Sequence, residues 1–405
     1  MTVFLLFLGL FMFVGLVVLH EFGHFVVARR NGVEVEEFGI GFPPRIWKKH
    51  VKSAKGDYDF TINLLPLGGF VKLKGEHDSD KDPGTFGAAS LWAKTKIMLA
   101  GVGLNLVAAL VILTAVALLG MPKVINKNTL GEDQFTVASD TKIVRNDVLI
   151  NYVEENSPAS KAGLKAGDQL LSIQGEKTTT SEALPKSTKT RPGQTVSIVF
   201  KRDNHSRTTQ ATLRSQQEVD DSTKKGDTKG FLGVSPVDYT VQRSTWSAPV
   251  VAVGLSTQMT KLTFKGLGSA LHGLGSLIAG TFTSNKAARQ AGQAQASSQV
   301  SGPVGIFFIL IEAASRGVGF ILFFIGIISL TLAIMNVLPV PALDGGRFYM
   351  LFISRKIFKR PLPRKTEERL VGGSFIALIL LLIPITFVDI HRFMHIILDG
   401  IHRFF

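Results

Sequence analysis

Four long apolar stretches set the frame for this chain. They cover about 3–28, 97–120, 305–337 and 371–388. Each meets the roughly 20 residues that carry a helix through a bilayer core. A backbone inside that core must satisfy its own polar groups, which favours helices over irregular chain. The remainder of the 405 residues is too polar for a pure bundle, with 19% charged residues overall. The expected fold class is therefore a multi-pass α-helical membrane protein with about four transmembrane helices and a sizeable soluble portion. Arg316 interrupts the start of the third run. Nothing basic precedes Leu19 in the first, and Arg29 and Arg30 come after it, so it reads as a retained span and not a cleaved leader.

Basic residues orient the spans. Arg29, Arg30, Lys48, Lys49, Lys52, Lys55, Lys94 and Lys96 lie between the first two runs, and "RKIFKRPLPRK" (355–365) lies between the last two. Both loops are expected on the cytoplasmic side, with both termini and the long stretch after 121 outside. The net charge of +14 reads as basic flanks facing anionic lipid, with no nucleic acid as partner. The chain has no cysteine, which excludes disulfides, thiolate catalysis and thiolate-bound zinc.

Between the spans, "VEVEEFGIGFPPRIWKKH" and "YDFTINLLPLGGFVKLKG" alternate apolar and polar residues with Gly and Pro punctuation, the pattern of β-hairpins. They predict a membrane-associated β-loop over about 33–76. Residues 1–120 thus form a first part of the membrane core. Residues 121–230 hold an extracytoplasmic α+β domain, its body at about 145–215, with a short helix at Pro158–Ala162, a strand at Gln169–Ile173 and two more in "TVSIVFKR" and "RTTQATLR". A polar linker is expected over 216–230. Residues 231–304 read as a membrane-proximal amphipathic segment, with 284–300 low in hydrophobicity. Residues 305–405 complete the core. The acidic run "EHDSDKD" around His77 reads as a solvated loop.

The first run carries His20-Glu21-Phe22-Gly23-His24 near its cytoplasmic end. Residues four apart share a helix face, so both imidazoles can bind one zinc, with Glu21 beside them as general base. An apolar span makes chance a poor explanation, because ionisable groups there are costly. A catalytic zinc takes three protein ligands and keeps a fourth position for water, whose pKa it lowers to roughly 7. Asp344, in "NVLPVPALDGG" (336–346), lies at matching depth at the end of the third run. It reads as the third ligand, the alternative being a loop aspartate or helix cap. His391 and His395 repeat the spacing without a glutamate, and read as part of an interfacial tail.

Together these residues resemble the site-2 protease family of intramembrane zinc metalloproteases, in its bacterial branch with a single PDZ domain. HEFGH (20–24) is similar to the family's first motif, and NVLPVPALDGG to its N-x-x-P-x-P-x-L-D-G motif. "PLGGFVKLKGE" (66–76) resembles its re-entrant β-loop, "SGPVGI" (301–306) the stretch before its third span, and "NSPASKAGLKAGDQLLSIQG" a permuted PDZ segment. The resemblance implies His20, His24 and Asp344 as zinc ligands and Glu21 as base. It implies that Asn336 helps hold substrate or transition state. It matches Asn105 to the asparagine of a second-span G-P-x-x-N motif, a possible substrate-positioning residue. Val102 stands where the family has proline, and "GFPP" (41–44) where it has G-F-G-P.

The implied activity is cleavage of single-span membrane proteins within the bilayer of a bacterial cell membrane. Anti-sigma factors and remnant signal peptides are the implied substrates, after a first extracytoplasmic cut. Two rival classes remain: a metal transporter and a zinc-stabilised scaffold. Neither requires Glu21.

Overall fold

A computed structural model describes residues 2–202, 205–224, 226–283 and 302–404. The low-hydrophobicity run expected over 284–300 lies outside them. The chain divides into two compact units, Met1–Ala117 with Ala248–Phe405, and Leu118–Ser247. The first opens with α1 (Thr2–Arg30), β1 (Val35–Val51), β2 (Tyr58–Leu73) and α2 (Leu91–Leu119). The second holds β3 (Met121–Pro122), α3 (Lys127–Leu130), β4 (Lys142–Val153), α4 (Pro158–Lys161), β5 (Gln169–Ile173), β6 (Glu176–Lys177), α5 (Ala183–Lys189), β7 (Thr195–Arg202), β8 (His205–Thr212), α6 (Gln216–Lys224) and β9 (Val234–Arg243). The chain then returns to the first unit with α7 (Ala248–Phe282), α8 (Pro303–Arg316), α9 (Val318–Val337), α10 (Asp344–Phe352) and α11 (Arg364–Phe404).

Four described helices are long and apolar enough to cross a membrane, over Val3–Arg30, Leu91–Leu119, Val318–Val337 and Arg364–His391. The third differs from expectation. The run from about 305 to 337 is two helices, because Gly317 adopts φ 106°, which ends α8. Arg316 turns back onto Glu312, with 2.5 Å between charged atoms. At 14 residues, α8 is about 21 Å long, short of the roughly 30 Å hydrocarbon core. Its N-terminus is held from a distance. The fully buried Asp389 of α11 accepts the Gly302 and Gly305 N–H groups on one oxygen, both at 2.8 Å. A carboxylate suits the positive end of a helix dipole, and Pro303, at the first helical position, has no N–H to satisfy. Within the segment expected to be amphipathic over 231–304, Ala248–Phe282 forms the single helix α7.

The β-loop forms as antiparallel pairing of β1 with β2, with shifts of register that fold the strands back. Phe38 is thereby opposite both Val71 and Phe60. Gly41 and Gly68 lie at the folds with φ of 81° and 128°, and a Cβ on Gly41 would sit 2.6 Å from the Leu65 carbonyl oxygen. Phe25 and Ala28 of α1, Phe38 of β1 and Ile97 of α2 join one buried cluster with Leu351 of α10. This cluster fixes the sheet beside α1.

The acidic run expected to be solvated has one buried member, Asp78, while Lys81 and Asp82 are exposed. Asp78 and Lys94 are 5% and 2% exposed, with Lys94 Nζ 2.5 Å from one Asp78 oxygen and Arg355 Nε 2.8 Å from the other. Lys94 also donates to Gly87 O at 2.7 Å, and His77 Nδ1 lies 3.6 Å from Glu367. The partners come from far along the chain, so the local sequence does not announce them. Burial pushes the Asp78 carboxyl up, but the hydrogen bonds from Arg355 and Lys94 more than offset it and hold the group below the usual carboxylate range. Its contribution is therefore present above its unfolded pKa and is lost as pH falls through the lower folded value.

The second unit is built on a sheet of order β3-β9-β4-β5-β7-β8, with β6 paired to β5. Val148, Ile150, Leu170, Ile198 and Phe200 point into one core closed by Ala159 and Leu184. The expected strand at Gln169–Ile173 and the one in "TVSIVFKR" fall on β5 and β7. Two expectations are corrected. The boundary at 230 cuts off β9, which pairs along most of β4, and the unit runs on to Ser247. The polar linker over 216–230 contains α6, which a capping box nucleates. Ser215 Oγ accepts the Glu218 N–H at 3.2 Å, and Glu218 Oε2 accepts the Ser215 N–H at 2.7 Å.

Asp78→Ala leaves Lys94 buried without its counter-charge. It is expected to cost about 3 kcal/mol, seen as a lower Tm of the detergent-solubilised protein. Asp78→Ala combined with Lys94→Met is expected to regain part of that loss.

Candidate metal centre

The helical spacing of α1 puts His20 and His24 on one face, with ring centroids 4.9 Å apart at 75°. That face meets α2 at backbone distance. A Cβ on Gly23 would lie 2.7 Å from the Ala100 carbonyl oxygen, and one on Gly101 would lie 2.6 Å from both imidazole rings. Small residues let membrane helices approach this closely. Asp344 arrives from another direction. The chain leaves α9 at Val337, turns through Leu338–Leu343 and restarts as α10 with Asp344 as its first residue. Cβ atoms on Gly345 and Gly346 would fall 2.2 Å from Val337 O and 1.9 Å from Val340 O. Only glycines allow the turn to fold so tightly, and the tight turn aims the carboxylate at the histidines.

His20 Nε2 lies 2.9 Å and His24 Nε2 3.2 Å from the same Asp344 oxygen, and the two ring nitrogens are 3.2 Å apart. His20 and His24 are each 7% exposed. Three lone-pair donors thus converge on one point in an apolar surrounding. Although both ring nitrogens lie this close, the buried Asp344 oxygen makes no well-formed hydrogen bond, as expected of an atom shaped to meet a cation. A four-coordinate divalent ion with bonds of about 2.0–2.1 Å separates its ligands by roughly 3.3 Å, close to the spacing seen. The donor set fits the ion. Among the described residues these three form the one cluster able to hold a metal, and His391 has no part in it.

Glu21, the neighbour of His20, points off the ligand face toward β2. It is half-buried, and the Val71 main chain hydrogen-bonds its carboxylate. A cavity of about 210 Å³ opens there, lined by Glu21, His24, Val71, Phe86, Asp344 and Arg347 among others. Arg347 carries no expectation from the sequence, although it lies directly after the motif that carries Asp344. Its Nη2 donates to Glu76 O at 3.2 Å and lies 3.8 Å from Glu367. Val71 and Phe86 carry no sequence signal of a role. The two predicted asparagines are placed differently. Asn336 is half-buried near the end of α9 and does not line the cavity. Asn105 is fully buried behind His20.

Comparisons with known proteins agree over most of the chain. The model of Peptidase family M50 matches residues 8–382. A Clostridium perfringens protein provisionally named a zinc metalloprotease is 30% identical over 384 residues, covering 94% of this chain and 97% of its own. The regulator of sigma-W protease RasP of Bacillus subtilis is 26% identical, with 93% and 96% covered. Among solved structures, a PDZ domain of an SdrC-like protein from Listeria monocytogenes is 25% identical over 24% of this chain and 93% of its own, at a TM-score of 0.20. A TM-score that low carries no argument.

Gly101→Ala places a methyl group against both rings. It is expected to lower the divalent metal retained by the purified protein at least tenfold in affinity, in the range found for disturbed ligand orientation, with the Tm of the metal-stripped protein little changed.

Proposed function

The chain belongs to peptidase family M50, and from that premise we propose that it is a zinc-dependent intramembrane endopeptidase acting on single-span membrane proteins. One observation carries the reading: the His20, His24 and Asp344 donors converge within 3.2 Å of one another, beside a cavity that His24, Asp344 and Glu21 line. His20, His24 and Asp344 hold the metal. Bound zinc supplies Lewis acidity, polarising a carbonyl oxygen and acidifying water.

Glu21 does the proton work. It takes a proton from the attacking water as the new C–O bond forms and delivers it to the amine as the C–N bond breaks. Its carboxylate lies within reach of the Val71 main chain, which puts the base next to the β-edge. Asn336, which does not line the cavity in this structure, would have to be brought to the substrate to donate to the developing oxyanion, a role worth roughly 3 kcal/mol in other enzymes. A substrate helix must first give up its own hydrogen bonds. The Gly69–Leu73 part of β2 pairs with β1 on one side, and Val71 and Leu73 line the cavity. A substrate strand added to this edge presents its peptide bonds next to Glu21.

The basic loops favour a cytoplasmic position for the site, with both termini and Leu118–Ser247 on the outer side of a bacterial cell membrane. We read that outer unit as the PDZ domain, binding peptide ends or filtering substrates by size. The B. subtilis relative is named a regulator of sigma-W, which favours membrane-bound anti-sigma factors as substrates here. Remnant signal peptides share the same chemistry: a single span already shortened outside.

Glu21→Gln is expected to keep zinc and to lose cleavage of a tagged single-span substrate in liposomes by at least about a hundredfold. Cleavage at the wild-type rate would refute the assignment, and retained zinc in a wild-type protein that cleaves nothing would favour the scaffold. Val71→Pro, which removes the N–H that faces Glu21 and distorts this edge, is expected to abolish cleavage while zinc stays bound. Undiminished cleavage would exclude strand addition at this edge.

A further inference from the structure

Helix α2 supplies no metal ligand, yet it meets the rear nitrogens of both histidines. His24 Nδ1 lies 2.7 Å from Ile97 O. A carbonyl only accepts, so Nδ1 carries the ring proton and Nε2 keeps its lone pair for the metal. Four residues further along α2, Gly101 leaves the gap into which both rings fit. Four further still is Asn105. Ile97, Gly101 and Asn105 therefore share one face of the helix.

The Asn105 carboxamide nitrogen lies 3.4 Å from His20 Nδ1. Its oxygen is buried with no hydrogen-bond partner, in a residue that is 0% exposed. Its main chain is pinned, since Ser329 Oγ donates to Asn105 O at 2.8 Å. In this orientation an NH2 group meets the ring and a bare oxygen is left in the interior. Half a turn about the last side-chain bond exchanges the two ends of the amide without displacing anything else, and such ends are assigned from their hydrogen bonds.

We propose that Asn105 is the positioning residue of His20, its carboxamide oxygen accepting the Nδ1 proton so that Nε2 is fixed as the metal-binding nitrogen. The turned amide satisfies the orphaned oxygen and gives His20 the counterpart of the His24–Ile97 bond. Full burial behind the ring separates this role from the contact with substrate expected of Asn105. The assignment rests on the zinc reading above, but it concerns the holding of metal and not turnover.

The test compares full-length wild type, Asn105→Leu and Asn105→Asp in detergent. Zinc affinity is measured by competition with a chromophoric chelator, and the absorption of the cobalt-substituted proteins is recorded. Asn105→Leu, close in size and without an acceptor, is expected to weaken zinc 10- to 100-fold and to shift the cobalt bands. Asn105→Asp, with acceptors alone at that position, is expected to restore both. Wild-type affinity in Asn105→Leu would overturn the proposal, as would an Asn105→Asp as weak as Asn105→Leu, which would mean that the amide N–H or mere shape is what matters. If Asn105→Leu does not fold, Asn105→Ala takes its place with the same expectations. Wild-type protein without zinc would overturn the zinc reading and this one together, whereas unchanged affinity in Asn105→Leu leaves the zinc reading standing.

Discussion

The structure depends on bringing three polar donors to one point inside a helical, apolar body. Each of them, left alone, is a desolvated group with no partner, and such groups are strongly unfavourable in a lipid-like interior. Together, at 2.9–3.2 Å, they become a preformed cradle for a dication. The neighbouring backbone is shaped by that demand. Gly23 and Gly101 bring α1 and α2 to backbone contact, and Gly345 and Gly346 compress the turn before α10. The glycines that look like weak points in helical sequence are the positions at which the donors are allowed to meet.

The face of the cradle turned toward β2 is built differently. The aromatic and aliphatic cluster around Phe25, Phe38 and Ile97 holds the folded sheet against the ligand-bearing helix. The ion pairs of Asp78 with Lys94 and Arg355 tie the start of α2 to the chain just after α10. The elements that carry Asp344 and that back the two imidazoles are thus joined by charge at their ends. Buried pairs of this kind contribute more to defining one arrangement than to net stability.

Much of this was legible in the sequence, for identifiable reasons. His20, Glu21 and His24 stand out because four-residue spacing survives in any helix, and Asp344 because depth along an apolar run is a one-dimensional quantity. β5 and β7 could be placed because alternation and turn glycines are local. The break at Gly317 is not legible, since one glycine among apolar residues is common in membrane helices and does not by itself announce a positive φ. Ser215 and Glu218 did carry a readable helix start, masked by the polarity of the residues after it. The burial of Asp78 could not be read locally, because its partner Arg355 lies hundreds of residues away. The expected boundary at 230 falls before β9 because its partner strand β4 lies far earlier in the chain.

The close contact of α1 with α2 also limits how the protein can open. The bond from His24 Nδ1 to Ile97 O and the Gly23–Ala100 approach leave no slack for these helices to slide or part. Shearing them by even one residue would set an imidazole against the wrong backbone group. The α1–α2 pair is thus the most tightly constrained seam of this unit, and the cavity lies on its other flank, against Val71 and Leu73 of the sheet.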